Sequence, residues 1–243
     1  MAAIHDQAIV LRRLDYSETS QVLFFLTRLH GPRRLLAKGI KRGTKKRFAT
    51  GIDLLERGEV LFSARSSSDS SLGALMEWRQ LDAYLGLRGN LQRLYAAQYA
   101  AEITSGVLQE SDPHPETFDA LAGLLEALAS GTEPLPAVVD YQRALLTSIG
   151  LWPDLNRCVV CGRTAPPGRA AYFSANQGGL ICRTCEPGHA ERQMIKGPIL
   201  EALRTGGYSG ETAGAAFDLL DHTLAHTRGR RTALARLVRR EAP

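Results

Sequence analysis

The sequence predicts an α+β protein: a small N-terminal β-barrel or sandwich, then an α-helical domain into which a four-cysteine segment is inserted. Three observations predict it. The first 80 or so residues carry five short runs rich in β-branched, aromatic and leucine residues, each bounded by turn residues. From about Asn90 the spacing of apolar residues becomes helical. All the cysteines lie between Cys158 and Cys185, where the helical pattern breaks.

The strand-like runs are Ala8–Leu11, Val22–Thr27, Arg34–Ala37, Leu54–Ser63 and Leu72–Trp78. Asp15 to Ser17, Gly31-Pro32, Gly39, Gly43, Gly51 and the serine-rich stretch near 66–71 separate them. Periodicity leaves open whether five such strands make an OB-like or an SH3-like barrel. Helical spacing follows in Leu91, Leu94, Tyr95, Ala97, Ala101, Ile103 and Leu108, and again in Leu121, Leu124, Leu125 and Leu128. Pro134 and Pro136 open a further helix over Val138–Ile149, with Gly150 as its C-cap and Pro153 preventing continuation. Two short strand-like pieces, Ala171–Ser174 and Gly179–Ile181, lie in the cysteine region. Helices resume over Ile199–Arg204, Ala215–His226 and Arg231–Arg240. The resulting division is a barrel over 1–84, a first helical part over 85–151, a cysteine insertion over 152–190 and the remaining helices over 191–243.

The cysteines form two C-x2-C pairs, Cys158/Cys161 and Cys182/Cys185, with 20 residues between the pairs. This ligand type and spacing is that of a tetrahedral site binding one Zn²⁺ through four thiolates. Four protein ligands leave no position for water, so the ion is expected to be structural and to fold residues 152–190, which have few large apolar residues of their own. Gly162 follows the second cysteine, where such a turn often requires positive φ. Disulfides and a redox-active pair are the competing readings, and His189 is a rival ligand. His222 and His226, at i and i+4, suggest a second metal face, but the chain offers no nearby third ligand, and a solvated helix face accounts for them better.

Charge is unevenly distributed. Residues 1–50 hold 11 Lys and Arg against three acids, residues 97–145 hold eight acids and one Arg, and residues 226–243 hold six Arg and one Glu. Such blocks suggest separate surfaces for separate partners. Within the first block, Arg33, Arg34, Lys38, Lys41, Arg42, Lys45, Lys46 and Arg47 fall in 15 residues punctuated by glycines. Cations at short intervals on a barrel suit the phosphates of a single strand and need no base code. Phe48 either stacks on a base or anchors the loop. The C-terminal arginines form either a second phosphate surface or a solvated helix face.

No phosphate-binding loop, H-E-x-x-H or G-x-S-x-G motif is present, and the basic half holds no close set of acids for a catalytic metal. The expectation is a binding protein without catalytic residues. A nucleic-acid enzyme carrying the zinc site as an accessory, and an adaptor binding through its acidic helices, stay open as rival functions. No run of 18 apolar residues and no signal-peptide pattern occurs, so a cytoplasmic location with no membrane contact is expected.

The chain resembles the RecO family in several places. Ala8–Ser20 (AIVLRRLDYSETS), Leu26-Thr27, Gly31 and Ala37–Gly39 resemble the family's first strands, Glu77 falls late in the barrel, and Tyr99–Glu102 resembles the helix after it. Leu145-Leu146, Gly150, Pro153–Leu155, Cys158–Gly162, Ala171–Ser174 and Gly178–Cys182 carry the match through the cysteine region, and it fades after Gly206. The resemblance implies an OB-fold, a helical domain and a zinc finger. It implies binding of single- and double-stranded DNA, annealing of complementary strands and partnership with RecR. It also implies action on DNA coated with single-strand-binding protein, so that RecA loads during repair, with nucleoid association when DNA is bound.

Overall fold

The computed structural model of the chain describes residues 3–40, 52–63 and 72–239. The chain divides into two compact units, Met1–Thr132 and Glu133–Pro243.

The first unit begins with five strands: β1 (Ala3–Asp15), β2 (Gln21–Thr27), β3 (Gly31–Ala37), β4 (Arg57–Ser63) and β5 (Gly73–Asp82). They form a closed barrel in the order β1-β2-β3-β5-β4. The first strand is far longer than its four-residue apolar run because two partners share it. Ala3–Ile9 pairs with β4 and Ala8–Asp15 with β2, with a bulge between Val10 and Arg12 at the crossover. The fourth strand starts later than its apolar run because Leu55 takes a left-handed backbone conformation (φ 70°). Alternation then sorts the side chains. Ala8, Val10, Leu23, Phe25, Leu35, Val60, Phe62, Leu75 and Trp78 fill the barrel interior, with the rings of Phe25 and Trp78 tilted together at 5.3 Å.

Ile9, Leu11 and Leu26 belong to the alternate face of β1 and β2 yet are also buried. A strand buried on both faces reads as a continuous apolar run, which is why Ala8–Leu11 lacks alternation. The cover comes from helix α1 (Leu91–Val107), which packs on β1 and in turn against α2 (Pro115–Ala129). Asn90 caps α1 by accepting a 3.0 Å hydrogen bond from the Arg93 amide.

The second unit holds α3 (Pro134–Ser148), then β6 (Asp154–Cys158), β7 (Ala171–Ser174), β8 (Gly179–Ile181) and β9 (Gln193–Ile195), then α4 (Gly197–Thr205), α5 (Gly210–Arg228) and α6 (Leu234–Arg239). The four strands form one sheet in the order β6-β8-β7-β9. Helix α5 packs against α3 and α4, and α6 against α3.

The expected fold class, an OB-fold barrel followed by one helical domain with a zinc-finger insertion, is corrected at two points. Among the described residues the barrel closes through only two parallel pairs, Leu35↔Gly73 and Leu36↔Ala74, with no described partner for Gly31–Arg34 across that seam. There the Pro32 carbonyl accepts from the Ser111 amide at 3.0 Å, so the α1–α2 loop packs on this part of β3. The helices, moreover, do not form one domain. Helices α1 and α2 group with the barrel, whose second apolar face α1 covers, and only α3 to α6 group with the cysteine sheet.

Candidate metal centre and nucleic-acid interface

Two tight backbone turns present the four cysteines. In the first, the Gly162 amide bonds to the Cys158 carbonyl at 2.8 Å and the Cys158 amide to the Arg163 carbonyl at 2.8 Å. Gly162 sits at φ 74°, the left-handed conformation this turn requires. In the second, the amides of Cys185 and Glu186 both bond to the Cys182 carbonyl, at 3.0 and 2.9 Å. The first turn follows β6 and the second follows β8. These strands are parallel neighbours, and the Val159 amide bonds to the Leu180 carbonyl at 2.8 Å. The pairing brings both turns to the same end of the sheet.

The four sulfurs consequently lie within 4.8 Å of one another, with Cys161 Sγ and Cys182 Sγ 3.7 Å apart. A disulfide needs sulfurs at about 2.05 Å, whereas a tetrahedral Zn²⁺ with Zn–S bonds of about 2.3 Å spaces its sulfurs about 3.8 Å apart. The donor set fits the metal.

The electrostatics agree. Burial opposes ionisation of Cys158, but the backbone amides of Cys182, Cys161 and Val160 outweigh it and hold the thiol below its ordinary range. Cys182 is drawn down to about 6, chiefly by the Cys185 backbone amide. Cys185 is pushed up to about 12, chiefly by its hydrogen bond with the Cys182 sulfur. Ionised sulfurs at this spacing hold a proton on their neighbour, and a divalent cation relieves that repulsion. Cys158 is buried, Cys161 is exposed, and Cys182 and Cys185 lie between.

Residues outside the motif hold this sheet in place. Arg204 on α4 donates from Nε and Nη2 to the Leu155 carbonyl, at 2.9 and 2.6 Å, and from Nη1 to Glu201 at 2.7 Å. Glu201 accepts from the Gly168 amide at 3.1 Å, which holds its carboxyl below the usual range. Glu191 ties the sheet to α5. One of its oxygens accepts from the buried Ser174 hydroxyl at 2.6 Å and the Asn176 amide at 3.2 Å, and the other meets His222 Nε2 at 2.9 Å.

Arg231 contacts His222 Nδ1 at 3.2 Å. A guanidinium only donates, so Nδ1 is the acceptor and Nε2 carries the hydrogen given to Glu191. His222 is thus a bridge, not a metal ligand, and His226 is exposed one turn on. His189 lies outside the sulfur cluster, the one metal-binding grouping among the described residues.

Burial pushes the Glu191 carboxyl up, but the Ser174 hydroxyl, His222 and the amides of Asn176 and Ala175 outweigh it and draw it down to about 2. A carboxyl depressed on folding contributes stability above its unfolded value near 4.5 that is lost as pH falls towards 2. Glu191→Gln is therefore expected to flatten the decline of melting temperature over that interval. Parallel curves for the variant and the parent would show that the network carries no such stability.

Of the eight cations expected to meet DNA, Arg33, Arg34 and Lys38 are described. Lys41, Arg42, Lys45, Lys46 and Arg47, with Phe48, lie outside the described residues. Arg33 donates to the His30 carbonyl at 3.1 Å and lies over the Phe62 ring at 5.8 Å. Arg34 is paired with Glu110, its Nε at 2.9 Å from Oε2. Lys38 is exposed at the end of β3. Arg12 adds a cation over the Phe24 ring at 5.5 Å. Of the C-terminal arginines, Arg239 pairs with Asp218 at 2.9 Å and Arg231 with His222, whereas Arg236 is exposed. No described helix is long and apolar enough to cross a membrane.

Sequence reasoning missed Glu110, Glu191, Glu201 and Arg204. Only the i, i+4 histidine pair signalled any of this network, and it was read as a solvated helix face, whereas His222 bridges Glu191 and Arg231.

Two family models match the chain: the N-terminal model of recombination protein O over residues 1–84 and its C-terminal model over residues 88–205. Among curated relatives, the DNA repair protein RecO of Anaeromyxobacter sp. (strain Fw109-5) is 30% identical, the match covering 97% of this chain and 95% of the relative. That of Anaeromyxobacter sp. (strain K) is 32% identical over 95% and 93%. That of Bacillus subtilis (strain 168) is 31% identical over 82% and 74%.

Proposed function

The chain belongs to the RecO family of DNA repair and recombination proteins, and from that premise we propose that it binds single- and double-stranded DNA and anneals complementary strands. With RecR it would act on DNA coated with single-strand-binding protein, so that RecA loads. The observation that carries the reading is the run of cations that begins on β3 of the barrel and extends from Arg33 to Arg47.

The mechanism is electrostatic. Two strands repel through their phosphates, and Lys and Arg side chains on one protein surface replace their counterions, letting the strands approach. No covalent bond changes, and no nucleotide is consumed. The cysteine centre would hold one Zn²⁺ through Cys158, Cys161, Cys182 and Cys185. That ion would cross-link the β6 and β8 turns and so hold the sheet in the second unit. The convergence of the sulfurs and their spacing support this assignment.

Annealing of two complementary oligonucleotides without ATP, across a salt series, tests the reading. Salt-sensitive annealing is expected. Replacing Lys45, Lys46 and Arg47 together with Ala should weaken single-strand binding and reduce the slope of log affinity against log salt by about 2 to 3. An unchanged slope in that variant would place the DNA elsewhere.

A further inference from the structure

The acidic block of the sequence closes partly on the basic one. Arg28 Nε and Nη2 reach the two carboxylate oxygens of Asp119 on α2 at 2.9 and 2.8 Å. Arg34, on β3, is gripped through Nε and Nη2 by one oxygen of Glu110, which lies in the loop between α1 and α2. Both pairs lie within the first unit, and both are partly open to solvent.

The second pair is built into the backbone. The Ser111 amide bonds to the Pro32 carbonyl at 3.0 Å, and Ser111 takes a left-handed conformation (φ 69°) that a non-glycine residue rarely adopts. Gly31 lies so close to the loop that a Cβ there would stand 2.2 Å from the Asp112 carbonyl oxygen. The loop is therefore fixed beside β3, and Glu110 is held where an anion meets Arg34. The pair borders an open groove of about 250 Å³ lined by Phe24, Arg33, Ser105 and Leu108 among others, through which a phosphate can reach the guanidinium.

We propose that Glu110 is an affinity-setting residue, an internal anion that occupies Arg34 and must be displaced before that arginine contacts a phosphate. A partly exposed ion pair is worth little on its own, so it yields to a polyanion. It still removes one cation from the free protein's phosphate-binding surface and lowers affinity for weakly charged or short strands. The inference rests on the DNA-binding reading above and adds to it which residue tunes the barrel's grip.

The test is equilibrium binding of an oligothymidylate across a salt series by the full chain and by Glu110→Gln, Arg34→Gln, the double variant, and Glu116→Gln. Glu116 is an exposed acid on α2. Glu110→Gln is expected to bind severalfold more tightly at low salt, because Arg34 then meets the phosphate without first giving up an internal anion. The gain should vanish in the Arg34→Gln background, and Glu116→Gln should not reproduce it.

Parent-like binding by Glu110→Gln would overturn the proposal. So would a gain that survives without Arg34, or an equal gain from Glu116→Gln, since either marks a general change of charge. If the parent fails to bind at every salt concentration while Glu110→Gln binds, the proposal stands in its strongest form. Failure of every folded form to bind would overturn the DNA-binding reading itself, and this proposal with it.

Discussion

Cys158→Ser is expected to release the metal and to unravel the β6–β9 sheet while the barrel keeps its melting transition. Cys158 is the most buried of the four sulfurs, and it accepts the Cys182 amide at 3.3 Å, so it joins the two turns even before a metal is considered. A serine hydroxyl does not ionise in this pH range and is no substitute ligand. The sheet depends on the cross-link because its strands run to only three to five residues, burying chiefly Leu155, Phe173, Leu180, Ile181 and Ile195. Metal binding by a structural zinc site contributes about 10 to 16 kcal/mol in small metal-folded peptides, as much as the roughly 8 to 15 kcal/mol that these five side chains supply by burial, so its loss removes about half of what holds the sheet. Metal content after gel filtration should fall from one equivalent to none. Amide exchange should quicken over residues 154–195 and stay slow in β1 to β5. A variant that kept one equivalent of zinc would show that a different donor set holds it.

Gly31→Ala is the second large effect. Gly31 has φ 70°, so any side chain there carries the left-handed penalty of about 1 to 2 kcal/mol. The added carbon would also stand 2.2 to 2.7 Å from the Asp112 backbone, which cannot rotate away as a flexible side chain can. The loop must then leave β3, giving up the Ser111–Pro32 hydrogen bond and the support beneath Glu110. The Thr27 hydroxyl, buried and donating to the Gly31 carbonyl at 2.7 Å, would lose its partner as the turn shifts. A loss of about 2 to 4 kcal/mol is expected, read as a lower midpoint in urea unfolding of the first unit. A midpoint within experimental error of the parent would mean that the loop is not packed against this turn.

How much of this was legible beforehand follows from the distance over which each interaction acts. Each apolar run of the first unit overlaps a barrel strand, though β1, β3 and β5 extend past theirs and β4 starts three residues into its own, and β7 and β8 coincide with theirs, because alternation and turn residues act over a few neighbours. Strand β6 was hidden because Asp154–Cys158 alternates poorly, and β9 because Gln193–Ile195 is too short to show a period. The four cysteines were legible as one cluster, and the structure brings their sulfurs within 4.8 Å of one another, since a C-x2-C turn is itself local.

The charge blocks were legible as blocks and misleading as surfaces. Arg34 and Glu110 are 76 residues apart, and Arg28 and Asp119 are 91 apart. No periodicity reports that they meet. The same holds for Glu191 and His222, and for Arg204 and the Leu155 carbonyl.

By itself, the sequence determined the kinds of element, the pairing of the cysteines in two C-x2-C turns and the family. Each depends on residue type at short spacing. Tertiary structure alone decided that α1 and α2 belong with the barrel, that the Ser111 amide reaches the Pro32 carbonyl on β3, and that an acid from the α1–α2 loop sits on an arginine of the barrel. These depend on which buried faces and free edges meet in space, and packing, not spacing along the chain, selects those partners.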